Sequence, residues 1–103
     1  MMTNEQLEWG PDEGEMTWHE AVAFAAAKGA GWRLPSVAEL VAQFDYDKGE
    51  PKGAGWKREW YWSSSAYAGN STFAWIVYFY LGYTSSNAVS NTYRVRCVRE
   101  AKP

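Results

Sequence analysis

Residues 61–92 read YWSSSAYAGNSTFAWIVYFYLGYTSSNAVSNT and contain no Asp, Glu, Lys or Arg, although charged residues make up 21% of the chain. Residues 74–80 alternate between two sets of side chains, with Trp75, Val77 and Phe79 on one side and Ile76, Tyr78 and Tyr80 on the other. This alternation is typical of a β-strand, and Leu81-Gly82 supplies a turn after it. The stretch therefore predicts a β-hairpin, with a returning strand from Tyr83 onward.

Two capping boxes predict two helices in the first half of the chain. Glu20 follows Thr17 by three residues, and Glu39 follows Ser36 at the same distance. In each pair the hydroxyl accepts from a free backbone amide at the helix start, and the carboxylate accepts from the amide of the cap residue. Apolar residues follow both boxes at helical spacing. We expect the first helix to end at one of the two glycines of segment 29–31.

The other segments complete the predicted architecture. Residues 1–15 are polar and acidic and are interpreted as an N-terminal extension, and residues 45–59 have the glycine, proline and mixed charge of a loop. We expect residues 32–34 to be a short strand or an extended lead-in to the second helix. Residues 59–64 and 93–99 predict further strands. The sequence thus predicts an α+β domain in which two helices pack on a small antiparallel sheet with long loops.

Composition limits the class of protein. A chain of 103 residues has the length of one domain, which we assign to residues 1–103. The formal charge of −2 gives no general attraction to nucleic acid or to an anionic membrane, and no apolar run has the length of a membrane helix. Cys97 is the single cysteine, so no disulfide forms within the chain. The N-terminus lacks a signal peptide, and we expect a cytoplasmic protein, or a phage-associated one after lysis.

Two phrases of the sequence resemble the Lcl C-terminal-like domain family of bacteria and phages. They are WRLPSVAEL (residues 32–40) and YWSSS…AWIVYF…VRCVR (within residues 61–99), and they occur in the order that the family has. The family is similar to C-type lectin-like folds and, more distantly, to the formylglycine-generating enzyme fold. The resemblance covers residues 16–99 and implies a compact C-type lectin-like binding scaffold, but no particular ligand.

Departures from the family pattern bear on metals and cofactors. The calcium-lectin phrases EPN and WND are absent, and the 45–59 loop has Gly49 and Glu50 where an EF-hand has its fifth and sixth positions. We therefore expect no metal and no cofactor.

A pair between Arg33 and Glu39 or another acid is the expected role of that arginine. Six residues of the family phrases are interpreted as structural: Trp32, Arg33, Trp62, Trp75, Arg96 and Cys97.

The sequence contains no recognisable catalytic arrangement. His19 is the only histidine and has no companion nucleophile, and Cys97 lies in a predicted strand where a thiol is usually buried and inert. Residues 63–65 are serines without a partnered base, and their hydroxyls are expected to bond turns and strand ends. No G-x-S-x-G, H-E-x-x-H or P-loop motif is present. We predict that the protein is not an enzyme.

The uncharged stretch has the composition of an antibody paratope. In such surfaces Tyr and Trp supply rigid contact area, and Ser, Gly and Asn supply adaptable hydrogen bonds. An alternative is ordinary packing, in which both faces of the sheet are covered and Ile76, Tyr78 and Tyr80 belong to the core. On the first interpretation nine residues form a ligand-binding face: Tyr67, Phe73, Ile76, Tyr78, Tyr80, Tyr83, Ser85, Asn87 and Asn91.

Three classes of function are consistent with this composition. The first is a binding module of phage or bacterial origin that presents the uncharged face to a protein or glycan partner. The second is a small phage-type intracellular inhibitor that docks on a host or defence protein. The third is a structural subunit that forms a homo-oligomer through its aromatic face. None of the three predicts a nucleic-acid or membrane partner.

Overall fold

A computed structural model describes residues 6–101 of the chain. These residues form two helices, a five-stranded sheet and a two-stranded ribbon. The strand order of the large sheet is β1-β7-β4-β5-β6, so β1 and β6 are its edges. In chain order the elements are β1 (Leu7–Met16), α1 (Trp18–Ala27), α2 (Val37–Ala42), β2 (Phe44–Asp45), β3 (Glu50–Pro51), β4 (Trp60–Ala66), β5 (Phe73–Tyr78), β6 (Tyr83–Ala88) and β7 (Tyr93–Glu100).

The predicted α+β class is confirmed. Neighbouring strands of the large sheet are antiparallel, except that β4 and β7 run parallel where Tyr61 meets Arg94. The parallel pair arises because β7 inserts between β1 and β4 instead of pairing beside β6. The extended segment predicted over residues 32–34 is also present, since Arg33 forms an isolated bridge with Val98.

Both helices begin at their predicted capping boxes. The hydroxyl of Thr17 accepts from the Glu20 amide and the Glu20 carboxylate accepts from the Thr17 amide, and Ser36 and Glu39 repeat this exchange. Helix α1 ends at Ala27, and Gly29 follows with φ of +65°, a left-handed conformation that stops the helix without a steric cost.

One face of the large sheet packs against α1 and is called the α1 face. Ala21 and Ala25 lie four residues apart on the helix, and their small side chains let the helix approach the sheet closely. Trp62 is fully buried there, and its indole N–H donates to the carbonyl of Met16 at 2.8 Å. The buried residues of this face are Ala21, Ala25, Leu34, Trp62, Ala74, Ile76, Val95 and Cys97.

The opposite face, called the α2 face, is covered by α2 and by the segment that follows it. Trp56 stacks on Phe79 with ring centroids 4.1 Å apart and planes 4° apart, which holds the 44–56 segment against the sheet. Both faces of the sheet are therefore covered near the middle of β5, as the packing alternative predicts for Ile76, but not at Tyr80, which is 46% exposed. The buried residues of this face are Leu40, Phe44, Tyr61, Val77 and Phe79.

Three boundaries differ from the sequence-based predictions. The assignment of residues 1–15 as an extension is wrong for its second part, because Leu7–Met16 is the edge strand β1, paired with β7; residues 1–5 lie outside the described residues. The 45–59 loop contains strand β3, which pairs with β2 in the small ribbon. Strand β5 ends at Tyr78 instead of Tyr80, because the turn already begins at Phe79. No helix in the described part of the chain is long and apolar enough to cross a membrane.

Candidate binding surface

A row of aromatic rings crosses the α1 face beside the turn between β5 and β6. Trp60 pairs with Tyr78 across β4 and β5, and their rings stack with centroids 4.7 Å apart and planes 8° apart. Tyr78 in turn stacks with Tyr80 at 5.9 Å and 23°. The guanidinium of Arg58 lies over the Tyr80 ring at 5.4 Å. We call Arg58, Trp60, Tyr78 and Tyr80 the aromatic row.

Strand β6 adds predicted residues to the same face. The register pairs Tyr83 with Tyr78, Ser85 with Ile76 and Asn87 with Ala74, and paired residues point to the same side of a sheet. Tyr83 is 60% exposed. The amide group of Asn91 donates to Oδ1 of Asn87 at 2.7 Å, so Asn91 joins the end of this strand.

Ile76 is not part of the accessible surface, and the expectation that it faces outward is wrong. Its side chain is 2% exposed and packs in the α1-face core with Trp62. The alternation in β5 correctly separates two sets of side chains, but both sets meet a covering layer near the middle of the strand. Only beyond the reach of α1 does the same side become accessible, where Tyr80 is 46% exposed.

Tyr67 and Phe73 lie apart from the aromatic row. Phe73 alternates with Ala74 and so points to the α2 face, and the Tyr67 ring contacts both Phe73 at 6.4 Å and Trp75 at 5.4 Å. Trp75 is half-buried and lines an apolar groove of about 320 Å³ between α2 and the sheet, together with Val37, Ala38, Val41 and Thr84. The nine predicted ligand-binding residues therefore divide between two faces of the sheet.

Several residues of the exposed surface were not predicted from the sequence. Arg58 and Trp60 precede the uncharged stretch, and their place in the aromatic row follows from the register of β4 against β5. Leu81 in the turn is 46% exposed, and Tyr46 is 55% exposed and donates its hydroxyl to the carbonyl of Gly82 at 2.6 Å. The alternation of Trp60 and Trp62 on either side of Tyr61 is the sequence signal that could have assigned Trp60 to the face of Trp62.

The six residues interpreted as structural all make packing or polar contacts within the fold. Arg33 and Glu39 form the predicted pair through two hydrogen bonds of 2.8 and 2.9 Å. Cys97 is buried, and burial raises the pKa of its thiol. Trp32 is half-buried and lies under the cationic groups of Lys28 and Arg99. Trp62, Trp75 and Arg96 complete this set.

Arg96 is buried and fixes the loop to the sheet. Its guanidinium lies 4.3 Å from the ring centroid of Trp56, and it donates to the carbonyls of Gly10 at 2.7 Å and Ala54 at 3.1 Å. Burial lowers the pKa of this guanidinium. The contacts join β7 to both β1 and the 52–56 segment, which explains why a cation is retained in the interior.

A second polar cluster surrounds Asp12 on β1. Its carboxylate accepts from Arg94 Nε at 2.8 Å and Nη2 at 2.9 Å, from the Tyr61 hydroxyl at 2.5 Å and from the Gly14 amide at 2.8 Å. Burial and the hydrogen bond to Asp12 raise the pKa of Tyr61 to about 12. For Asp12, burial raises the pKa, but the hydrogen bonds together outweigh it, and the pKa lies below its ordinary value. The bonds of Asp12 to Arg94 and Tyr61 therefore join β1 to β7 and to β4.

The residues considered for catalysis have structural surroundings. The Ser63 hydroxyl donates to the carbonyl of Trp75 at 2.8 Å, and the Ser65 hydroxyl accepts from the amide of Val37 at 3.0 Å. His19 is exposed beside Trp18, with the two rings edge to face at 5.2 Å. Asp45 accepts from the amides of Asp47 and Lys48, so its carboxylate closes a turn.

A two-helix α+β domain with an aromatic row on one face is the class of protein that these observations define. The chain matches the Lcl C-terminal domain family over residues 2–99 and belongs to that family. Among curated proteins, none matches the chain in sequence.

Proposed function

We propose that the domain is a non-enzymatic binding module that contacts a protein partner through the aromatic row and Tyr83. The observation that carries the proposal is the stack of Trp60, Tyr78 and Tyr80 with Arg58 at its end. Trp60 and Tyr78 are half-buried, and Tyr80 is 46% exposed. Trp, Tyr and Arg are the residue types that most often dominate binding energy at protein interfaces. The adjoining strand β6 carries small polar residues, which add hydrogen bonds without repelling a partner.

The stacking also supports a role in recognition through its effect on side-chain entropy. An exposed aromatic side chain loses rotamer freedom when a partner binds it. Here the Tyr78 ring is already restrained by its contacts with the rings of Trp60 and Tyr80, and Arg58 restrains the Tyr80 ring. A surface ordered before binding has less entropy to lose, so the same contact area gives a higher affinity.

A protein partner fits the geometry better than a glycan. A sugar ring stacks on the open face of an aromatic ring, but the nearly parallel rings of Trp60 and Tyr78 cover one another's faces. Both rings are half-buried, so a partner reaches only the accessible part of each. Arg58 adds a donor that suits carboxylates and backbone carbonyls.

The test compares two double variants for capture of proteins from a bacterial lysate and for binding to a glycan panel. Tyr78→Ser with Tyr80→Ser removes the outer rings of the aromatic row. The matched control is Val22→Ser with Phe24→Ser, which removes exposed apolar side chains from the outer surface of α1, where Val22 is 41% and Phe24 38% exposed. Thermal melting verifies that each variant is folded.

We expect the wild type and the α1 control to bind the same protein, and the aromatic-row variant to lose it. Loss in both variants, or retention in both, contradicts the assignment of binding to the aromatic row. Binding to glycans alone, abolished by the same pair of substitutions, contradicts the choice of a protein partner.

A further inference from the structure

The two edges of the large sheet differ in their protection against pairing with another chain. Strand β1 carries Pro11, four acidic residues (Glu8, Asp12, Glu13 and Glu15) and two irregularities of register, all of which hinder the addition of a further strand. Strand β6 (Tyr83–Ala88, YTSSNA) has no charge and no proline, and it pairs with β5 in unbroken register. Among the described residues, β5 is its only partner strand.

The hydrogen bonds of β6 show which backbone groups face outward. The Val89 amide donates to the carbonyl of Thr72, on the side of β5. Because backbone groups alternate in direction along an antiparallel strand, the N–H and C=O groups of Asn87, Ser85 and Tyr83 also point toward β5. The groups of Ala88, Ser86 and Thr84 point away from β5.

The outward groups at the end of β6 are already satisfied. The Ala88 amide donates to Oδ1 of Asn87 at 2.8 Å, and its carbonyl accepts from the Asn91 amide at 3.0 Å. Within residues 6–101, the outward backbone groups of Thr84 and Ser86 have no such hydrogen-bond partners, apart from a long contact of 3.4 Å from the Ser85 hydroxyl to the Ser86 carbonyl. The open part of the edge is therefore the short segment 84–86.

We propose that two copies of the chain pair through this segment, antiparallel, about a two-fold axis beside Ser85. In this register Thr84 lies opposite Ser86 of the second copy. The Thr84 N–H donates to the Ser86 carbonyl across the interface, the Ser86 N–H donates to the Thr84 carbonyl, and the symmetry repeats both bonds. Every open backbone group of segment 84–86 that faces outward then has a partner.

The side chains of β6 favour a second copy over an unrelated strand. About the same axis Ser85 faces itself and Tyr83 faces Asn87, so only small or neutral side chains oppose one another. A two-fold interface places a side chain at the axis opposite its own copy, and like charges directly opposite are destabilising. Strand β6 carries no charge, so none of its side chains repels the same strand of a second copy.

This pairing concerns the edge of the sheet and is independent of the proposed function at the aromatic row. The pairing nevertheless decides how the two aromatic rows of a dimer are arranged. The two-fold axis that relates two paired antiparallel strands is perpendicular to the plane of the sheet. The α1 faces of both copies therefore lie on the same side of the combined sheet. The dimer therefore presents two aromatic rows to the same partner surface, which raises overall affinity through multivalency.

The first experiment measures mass in solution by light scattering over a dilution series of the protein alone. We expect the wild type to approach twice the 11.7 kDa of one chain at high concentration. Ser85→Lys and Ser85→Glu should each remain monomeric, because each places like charges opposite one another at the axis. An equimolar mixture of the two variants should regain the dimer mass, since the opposed charges are then unlike. Thermal melting checks that both variants fold, and Tyr78→Ser with Tyr80→Ser should dimerise normally.

The second experiment uses a cysteine at the axis. Ser85→Cys should form a disulfide-linked dimer under mild oxidation, whereas Ser90→Cys, at an exposed position beyond β6, should not. The native Cys97 is buried and does not interfere. A wild type that stays monomeric at all concentrations overturns the proposal. So does a dimer that survives both charged variants, or one in which Ser90→Cys cross-links as readily as Ser85→Cys.

Discussion

We expect the substitution Asp12→Asn to destabilise the fold more than the removal of any exposed charge. The carboxylate of Asp12 joins β1 to β7 through Arg94 and to β4 through Tyr61, and it also closes the local turn at Gly14. Asn has nearly the same shape, so the substitution leaves no cavity. It removes the negative charge and turns an amide NH₂ group toward donors that need an acceptor.

The magnitude follows from the burial of the pair and from its bonds. The side chains of Arg94 and Asp12 are 19% and 13% exposed, so solvent screens their interaction only in part. Loss of one charge-assisted bond, together with an unsatisfied donor, corresponds to about 2–3 kcal/mol of unfolding free energy. For a domain of this size that is a fall in Tm of roughly 10–20 °C.

Urea denaturation at a series of pH values tests both the size and the cause of this effect. The pKa of Asp12 in the folded protein lies below its ordinary 3.8, so its contribution is fully present above that value and is lost as pH falls through the lowered pKa. Asp12→Asn has no group to titrate there. The difference in stability between wild type and variant should therefore be largest near neutral pH and should shrink below about pH 4.

The control for this prediction is Glu8→Gln, which removes the exposed pair of Glu8 and Arg99. Those side chains are 49% and 31% exposed, and the loss should be below about 1 kcal/mol. If Asp12→Asn costs no more than this control, or if its deficit is constant from neutral pH to pH 3, the reasoning from the Asp12 cluster is refuted.

Three further substitutions, one with a matched control, test other parts of the fold by equilibrium denaturation. Gly82→Ala should cost about 2–3 kcal/mol, because φ is +78° and the new Cβ lies 2.6 Å from the ring of Tyr46; Gly53→Ala, with φ of +76° and no atom within 4 Å, should cost only about 1 kcal/mol. Arg96→Lys should cost about 2 kcal/mol, since lysine keeps the charge but cannot reproduce the planar stack and both carbonyl contacts; a neutral outcome would show that the stack contributes nothing. Glu39→Gln should cost less than about 1 kcal/mol, because glutamine preserves the capping box and only a partly exposed charge pair is lost.

The elements with local signals were predictable from the sequence. The capping boxes of Thr17 and Ser36 satisfy amides within their own first turn, so the helix starts need no information from the rest of the chain. The β5–β6 hairpin is also local, since both strands and the turn lie within residues 73–88. In each case the interacting groups are close in sequence, which is why a pattern over a few residues is sufficient.

Strand β1 could not be predicted because its partner lies at the far end of the chain. Leu7 pairs with Glu100, and Gly10, Pro11 and the irregularities of register break the alternation that marks a strand. The placement of Ile76 failed for a related reason. Alternation assigns a side chain to a face, but whether that face is covered at a given point depends on α1, which packs from a distant part of the sequence.

The absence of charge in residues 61–92 has two different physical causes. Strands β4 and β5 lie inside the sheet and are covered on both faces, so a charged side chain at Tyr61, Trp62, Ile76 or Val77 would lie buried without a partner. Burial thus accounts for this part of the uncharged stretch without any reference to function.

Burial does not account for the remainder of the stretch. Tyr80 and Tyr83 are 46% and 60% exposed, and Thr84 lies open at the edge of the sheet, where lysine or glutamate would be tolerated and would protect against unwanted pairing. The core therefore does not require a neutral surface at the turn and along β6. Since exposed aromatic residues beside an unprotected edge make a protein prone to association, their joint presence supports the contacts proposed at the aromatic row and along β6.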